Sequence, residues 1–156
     1  MLDVMDDEFT DGGTSETRVG IDAPADDAFT EHFTSPIYND PEGEFAPFGN
    51  DEGADLLAEW AERADELGPT STVRDLLADG FDDPADVDGL VADLDTEDDV
   101  DAAFIIVGAG FTLLRLTGLI DDEGRRLVLR ALSTLELAYG EQPELTRMRD
   151  DLESFV

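Results

Sequence analysis

Apolar residues after position 50 recur at steps of three and four, which is the spacing of one buried helix face. The first such stretch precedes the Gly68-Pro69 pair, and its apolar face consists of Leu56, Leu57, Trp60, Ala64 and Leu67. Acidic residues occupy the opposite side of this stretch. The pattern predicts an amphipathic helix directly after Asn50.

Five more helical segments are predicted by the same spacing. Their predicted starts are Thr70 or Ser71 as a cap, Asp83 as a cap with Pro84 at the first helical position, Thr96 with Asp99 as a capping box, Asp121 or Asp122 as a cap, and Pro143. None of these segments shows the alternation of a half-buried strand. We therefore predict an all-α fold, a compact bundle of about five or six helices.

The longest apolar stretch covers residues 102–120. Arg115 interrupts it, and the part from Ala102 to Leu114 is shorter than the ~20 residues needed to cross a bilayer. A helix that is apolar on every side belongs in the centre of a fold. Gly108 and Gly110 would let neighbouring helices approach this one closely.

The amino-terminal third follows a different pattern. Residues 17–48 show no helical period, and prolines alternate there with aromatic residues. This predicts an extended arm, with room for one or two short strands, that packs its aromatic side chains on the rest of the protein. Residues 1–16 hold few apolar side chains and are predicted to be a mobile acidic tail. Residues 49–156 then form the helical domain.

The net charge limits the kinds of partner that the protein can bind. Nine basic residues, all of them Arg, face 41 acidic ones, so the formal net charge is −32. Such a surface repels phosphate backbones and anionic lipids, so we expect no nucleic acid and no membrane as partner, but proteins and solvated monovalent cations. The absence of cysteine excludes disulfides, thiolate nucleophiles and thiolate metal ligands.

The acidic residues are spread along the chain, which indicates an adaptation to high salt concentration. Like charges on one small core oppose compaction, and molar salt shortens the Debye length to about 3 Å. Asp outnumbers Glu, and Arg replaces Lys altogether. This composition resembles that of salt-in halophilic archaea and implies a salt-dependent fold. The start, Met1 to Glu8, has neither a basic nor an apolar signal region, so we expect a cytoplasmic protein.

The densest carboxylate cluster is the candidate for a metal site, and it contains Asp82, Asp83, Asp86 and Asp88. Asp86 and Asp88 have calcium-loop spacing, but the first and twelfth positions of that loop do not match. A helix cap and a solvated face explain these acids without a metal, so we predict no metal and no cofactor. The competing hypothesis is a metal-dependent hydrolase that uses Asp82, Asp83 and Asp86 with His32.

Histidine and arginine offer little further chemistry. His32 lies among the arm aromatics, where a surface or half-buried position without a catalytic role is favoured. Arg115 is either the buried partner of an acid or the mark of a helix edge. Arg125, Arg126 and Arg130 form a basic patch, for which pairing with acids of this chain or of a second chain is favoured over an anion site.

Residues 47–56, Pro-Phe-Gly-Asn-Asp-Glu-Gly-Ala-Asp-Leu, carry a family resemblance. They resemble the Pro-Phe-x-Asn-Asp-x-x-Ala-Asp-aromatic opening of a family of small prokaryotic proteins called domain of unknown function 4259. Residues 101–107 resemble the Ala-rich internal helix of that family, so the similarity would cover about residues 43–156. The family has no established activity, and the resemblance implies a compact helical fold without transferring a catalytic residue.

These observations favour a non-enzymatic module that binds another protein or forms a homodimer. Trp60, the arm aromatics and the last helix are the predicted apolar anchors. The alternatives are the hydrolase above and an immunity-like regulator that binds a basic partner. No catalytic or cofactor-binding residue is predicted.

Overall fold

The computed structural model describes residues 25–83, 85–95 and 100–155. Within these ranges the chain forms helices and no strand, so the prediction of an all-α bundle is confirmed. The α-helices are α1 (Asp27–His32), α2 (Asp51–Ala61), α3 (Val73–Asp79), α4 (Asp86–Ala92), α5 (Val100–Thr117), α6 (Asp122–Tyr139) and α7 (Pro143–Ser154). The six segments predicted after residue 50 correspond to α2–α7. The first of them is shorter than predicted, because α2 ends at Ala61 and Ala64–Glu66 form a separate 3₁₀ helix, so Ala64 and Leu67 of the predicted apolar face lie beyond α2.

Side-chain caps set the starts of α2 and α6. The Asn50 side chain accepts a hydrogen bond from the N–H of Gly53 at 2.8 Å. Asp121 caps α6, as predicted, by accepting from the N–H of Gly124 at 2.9 Å. The other oxygen of Asp121 accepts from the N–H of Val73 at 2.9 Å, so one carboxylate serves the first turns of both α6 and α3.

The start of α3 differs from its prediction. The cap is Thr72 and not Thr70 or Ser71, because Thr72 forms a reciprocal capping box with Asp75. Its hydroxyl accepts from the Asp75 N–H at 3.0 Å, and the Asp75 carboxylate accepts from the Thr72 N–H at 3.0 Å. This pairing requires a carboxylate three residues after the cap, a condition that Thr72 meets.

The start of α4 also differs. The helix begins at Asp86 without a side-chain cap, so Asp83 is not its N-cap. The Asp83 carboxylate instead accepts from the N–H of Ala85 at 2.9 Å, which stabilises the turn before the helix. The proline predicted at the first helical position, Pro84, and the predicted capping box at Thr96 and Asp99 lie outside the described residues.

α5 is the central helix, and it packs against α2, α6, α3 and α1. A Cβ on Gly108 would lie 2.8 Å from the Cα of Gly53 in α2, and a Cβ on Gly110 would overlap Val128 in α6. The two glycines therefore permit the close approach that the sequence predicts. By length and composition α5 could cross a membrane, but 72% of it is buried inside the fold, as in the core helix of a globular protein.

Residues 25–48 lie against the helical domain. Where the sequence left room for short strands, these residues form α1 and a 3₁₀ helix (Pro36–Asn39). Asp26 caps α1 by accepting from the N–H of Ala28 at 2.9 Å. Four aromatic side chains of this region are buried, Phe29, Phe33, Tyr38 and Phe48, and Phe45 is half-buried. The predicted tail, residues 1–16, and residues 17–24 of the predicted arm lie outside the described residues.

Candidate functional site

The predicted acidic cluster lies on the surface around the start of α4. Asp82 and Asp86 are exposed, and Asp83 is bonded to the local backbone. Asp88 pairs with Arg74 of α3 at 2.8 Å. Among the residues that the structure describes, no group of three or more histidine or carboxylate side chains is placed to hold a metal ion.

His32 is half-buried at the end of α1, and its hydrogen-bond partners lie near the end of α7. Its Nε2 lies 2.7 Å from the carbonyl oxygen of Asp151 and 3.0 Å from the Oγ of Ser154. The imidazole also makes edge contacts with Phe33 and Phe155. The structure thus places His32 against the end of α7 and does not bring it to the α4 acids with which the hydrolase hypothesis combined it.

Arg115 lies inside the fold and does not mark a helix edge. It is only 3% exposed, and its Nη1 donates to the carbonyl of Tyr38 at 3.1 Å and to the side-chain oxygen of Asn39 at 3.2 Å. The guanidinium also lies 5.5 Å from the ring centroid of Phe48. Burial lowers the pKa of Arg115 from its ordinary value. These contacts connect α5 to residues 25–48.

Tyr38 makes a second connection from this region, to α7. Its hydroxyl donates to Asp151 at 2.7 Å. Burial first, and the neighbouring Asp151 carboxylate second, raise the pKa of the Tyr38 phenol, so it stays a neutral donor. Arg115 and Asp151 therefore contact the same short segment from two helices, in a structural role that requires no substrate.

The side chains that were predicted to anchor a partner protein are buried within the single chain. Trp60 is 5% exposed, and the aromatic side chains of α1 and its neighbours are buried in the core. The inward residues of α7, Leu145, Met148 and Leu152, are fully buried. Within the described ranges the exposed large apolar side chains are instead Leu119, Leu137 and Tyr139, and Leu137 is the most exposed at 71%.

Leu137 belongs to what we call the α6 solvent face, formed by Arg126, Arg130, Ser133 and Leu137. These residues recur at helical spacing on the side of α6 opposite its buried residues, and all four are exposed. Residues 124–135 contain three arginines and no acid, although the chain carries a net charge of −32. The α6 solvent face is therefore both basic and apolar on a strongly acidic protein.

The three arginines of the predicted basic patch do not share one surface. Arg125 turns toward α7, where its Nη1 donates to the carbonyl of Leu152 and its guanidinium lies 6.0 Å from the ring of Phe155. Arg126 and Arg130 lie on the α6 solvent face. Beside them a shallow cleft of about 300 Å³ extends from Leu94 to Leu137.

No family model, no curated protein and no solved structure matches this chain. The resemblance to domain of unknown function 4259 therefore stays a prediction. Sequence reasoning marked Arg126 and Arg130 as part of a basic patch but missed Leu137, because it followed only the inward side of this helix and Leu137 lies on the opposite side. The acid-free run over residues 124–135 was the signal that marked this face in the sequence.

Proposed function

We propose that this protein acts by binding another protein, and that the α6 solvent face is its contact surface. The exposure of Leu137 is the observation that carries the proposal, because a leucine 71% exposed leaves apolar surface in water, and the two arginines beside it are of a residue type enriched at protein interfaces. Burying this side chain would contribute about 1–2 kcal/mol per copy. The cytoplasm and molar salt are the proposed setting, supported by the net charge of −32.

The partner that fits this surface best is a second copy of the chain. An antiparallel pair of α6 helices that cross at Ser133 would bring Leu129 of one copy into the same layer as Leu137 of the other. Two such layers, one on each side of Ser133, would remove apolar surface of both copies from water. The small side chain of Ser133 would let the helices cross closely.

Sedimentation equilibrium in molar KCl tests this proposal with a matched pair of variants. Leu137→Asp should convert a dimer to a monomer, because it puts a charge into the apolar layer. Leu119→Asp adds the same charge at another exposed leucine, 47% exposed, and should leave the dimer intact. A wild-type protein that stays monomeric up to the highest accessible concentration, or a dimer that both variants weaken equally, would contradict the proposal.

A further inference from the structure

Helices α2, α3 and α5 leave an apolar cleft of about 270 Å³ between them, on residues unrelated to the α6 solvent face. Its apolar lining comes from Leu56, Trp60, Leu76, Leu77, Phe81 and Ile105. The volume lies just below the usual range of small-molecule pockets, which fits a ligand of about one ring. Apolar walls of this kind bind by removing apolar ligand surface from water.

Trp60, one of the lining residues, has a side-chain polar atom that lacks a partner. The Trp60 side chain is 5% exposed, and its Nε1–H is buried without a hydrogen-bond acceptor. In the described part of the chain one other buried side-chain atom shares this state, the Thr112 hydroxyl. An unpaired buried donor is costly, so a bound molecule that supplied an acceptor would gain the bond without displacing another partner.

The rim of the cleft excludes anions. The Arg63 guanidinium lies 4.1 Å from the Trp60 ring centroid and donates to both oxygens of Asp79, at 2.8 and 3.1 Å. It also donates to Glu66 at 3.0 Å and to Glu59 at 3.1 Å. Three carboxylates therefore surround one arginine, and the rim repels a carboxylate or phosphate ligand.

We infer that this cleft binds a neutral, ring-sized apolar molecule carrying one hydrogen-bond acceptor, which pairs with the Trp60 Nε1–H. The N–H is shielded from water, so the acceptor reaches it as an apolar side chain of the wall changes rotamer. The rim acids select against the charged counterpart of such a ligand. Trp60 is the only tryptophan of the sequence, so its single indole N–H resonance reports directly on the proposed bond.

Nuclear magnetic resonance titration of the intact protein in molar KCl tests this inference with three probes. Acetophenone has the ring and one acceptor, ethylbenzene has nearly the same shape without an acceptor, and benzoate carries a charge. Acetophenone should shift the Trp60 indole resonance saturably to higher frequency and bind about fivefold more tightly than ethylbenzene. Benzoate should bind more weakly than either.

Two variants distinguish the contribution of the hydrogen bond from that of the apolar cleft. Trp60→Phe removes the N–H and should reverse the preference, so that ethylbenzene binds more tightly than acetophenone, because the acetophenone oxygen would then be buried without a donor. Ile105→Phe enlarges a half-buried wall residue and should weaken both probes at least tenfold, whereas Leu119→Phe, outside the cleft, should change neither. If Trp60→Phe does not fold, the indole resonance of the wild type and Ile105→Phe decide. An indole resonance that acetophenone does not move, benzoate binding as tight as that of acetophenone, or binding that Ile105→Phe leaves intact would overturn the inference.

Discussion

Replacing Gly108 by alanine is expected to weaken the contact between α2 and α5, whereas the same change at Gly89 is expected to stabilise the protein. Both glycines lie inside helices, so alanine gains about 1 kcal/mol of helix propensity at each site. The surroundings differ. At Gly108 the new Cβ would lie 2.8 Å from the Cα of Gly53 and 3.2 Å from the Cδ1 of Leu56, and at Gly89 it would meet nothing within 4 Å.

The change in the free energy of unfolding depends on which atoms must move to make room for the new Cβ. The nearest atom to the new Cβ of Gly108 belongs to the backbone of α2, and overpacking against such an atom costs about 1–3 kcal/mol. After the gain in propensity, Gly108→Ala should lower the free energy of unfolding by up to about 2 kcal/mol. Gly89→Ala should raise it by about 1 kcal/mol. The pair therefore differs by about 1–3 kcal/mol, the cost of overpacking alone.

Urea unfolding in molar KCl, followed by circular dichroism, measures both values under conditions that keep the salt constant. Because helix propensity changes equally in the two variants, their difference isolates the packing between α2 and α5. Equal stabilisation by both substitutions would refute the close approach of Gly108 to Gly53, and with it the central position assigned to this face of α5.

Three further outcomes are expected. Thr112→Val should raise the free energy of unfolding by about 1 kcal/mol, because it removes a buried hydroxyl without a partner, whereas Thr134→Val loses the 2.8 Å bond to the Leu94 carbonyl and should lower it. Hydrogen bonds from Arg63 hold the pKa of Asp79 below its ordinary value, so this ion pair stabilises the fold above the ordinary carboxyl pKa of about 4 and is lost as pH falls through the lowered value. Thermal melting of Arg63→Gln between neutral and acid pH should therefore show a shallower acid limb than the wild type, and identical limbs would count against the pair. Melting temperature should rise with KCl up to the molar range, because salt screens a net charge of −32, and a flat profile would argue against the salt-dependent fold.

The sequence predicted the helices whose signals are local and left out the contacts that span the chain. α2 to α7 follow from apolar spacing, and the central position of α5 follows from its apolar residues on every side. α1 has six residues, too few for a period to be recognised, and Phe29 is buried there against Tyr38 and the guanidinium of Arg115, which is distant in sequence. Arg115 binds the carbonyl of Tyr38, a backbone acceptor that no residue pattern marks.

For the candidate sites too, the local sequence patterns were predictable and the tertiary contacts were not. The acids around Asp86 were visible as a cluster, but whether such acids converge depends on tertiary packing, and no metal-binding group forms among the described residues. Trp60 was predicted to lie on an apolar helix face, which it does. The missing acceptor of its N–H depends on every side chain around it, so it could not be read from spacing.

The hydrogen bond between Tyr38 and Asp151 has a consequence for how the chain reaches its native state during synthesis. The two residues are separated by 113 positions, and His32 contacts the Asp151 carbonyl across 119. On the ribosome, residues 25–48 emerge long before α7. Their aromatic side chains therefore lack their contacts with α7 while the middle of the chain is translated. This end of the core is therefore completed only after α7 has been synthesised, and until then the nascent chain exposes apolar surface that a chaperone can shield.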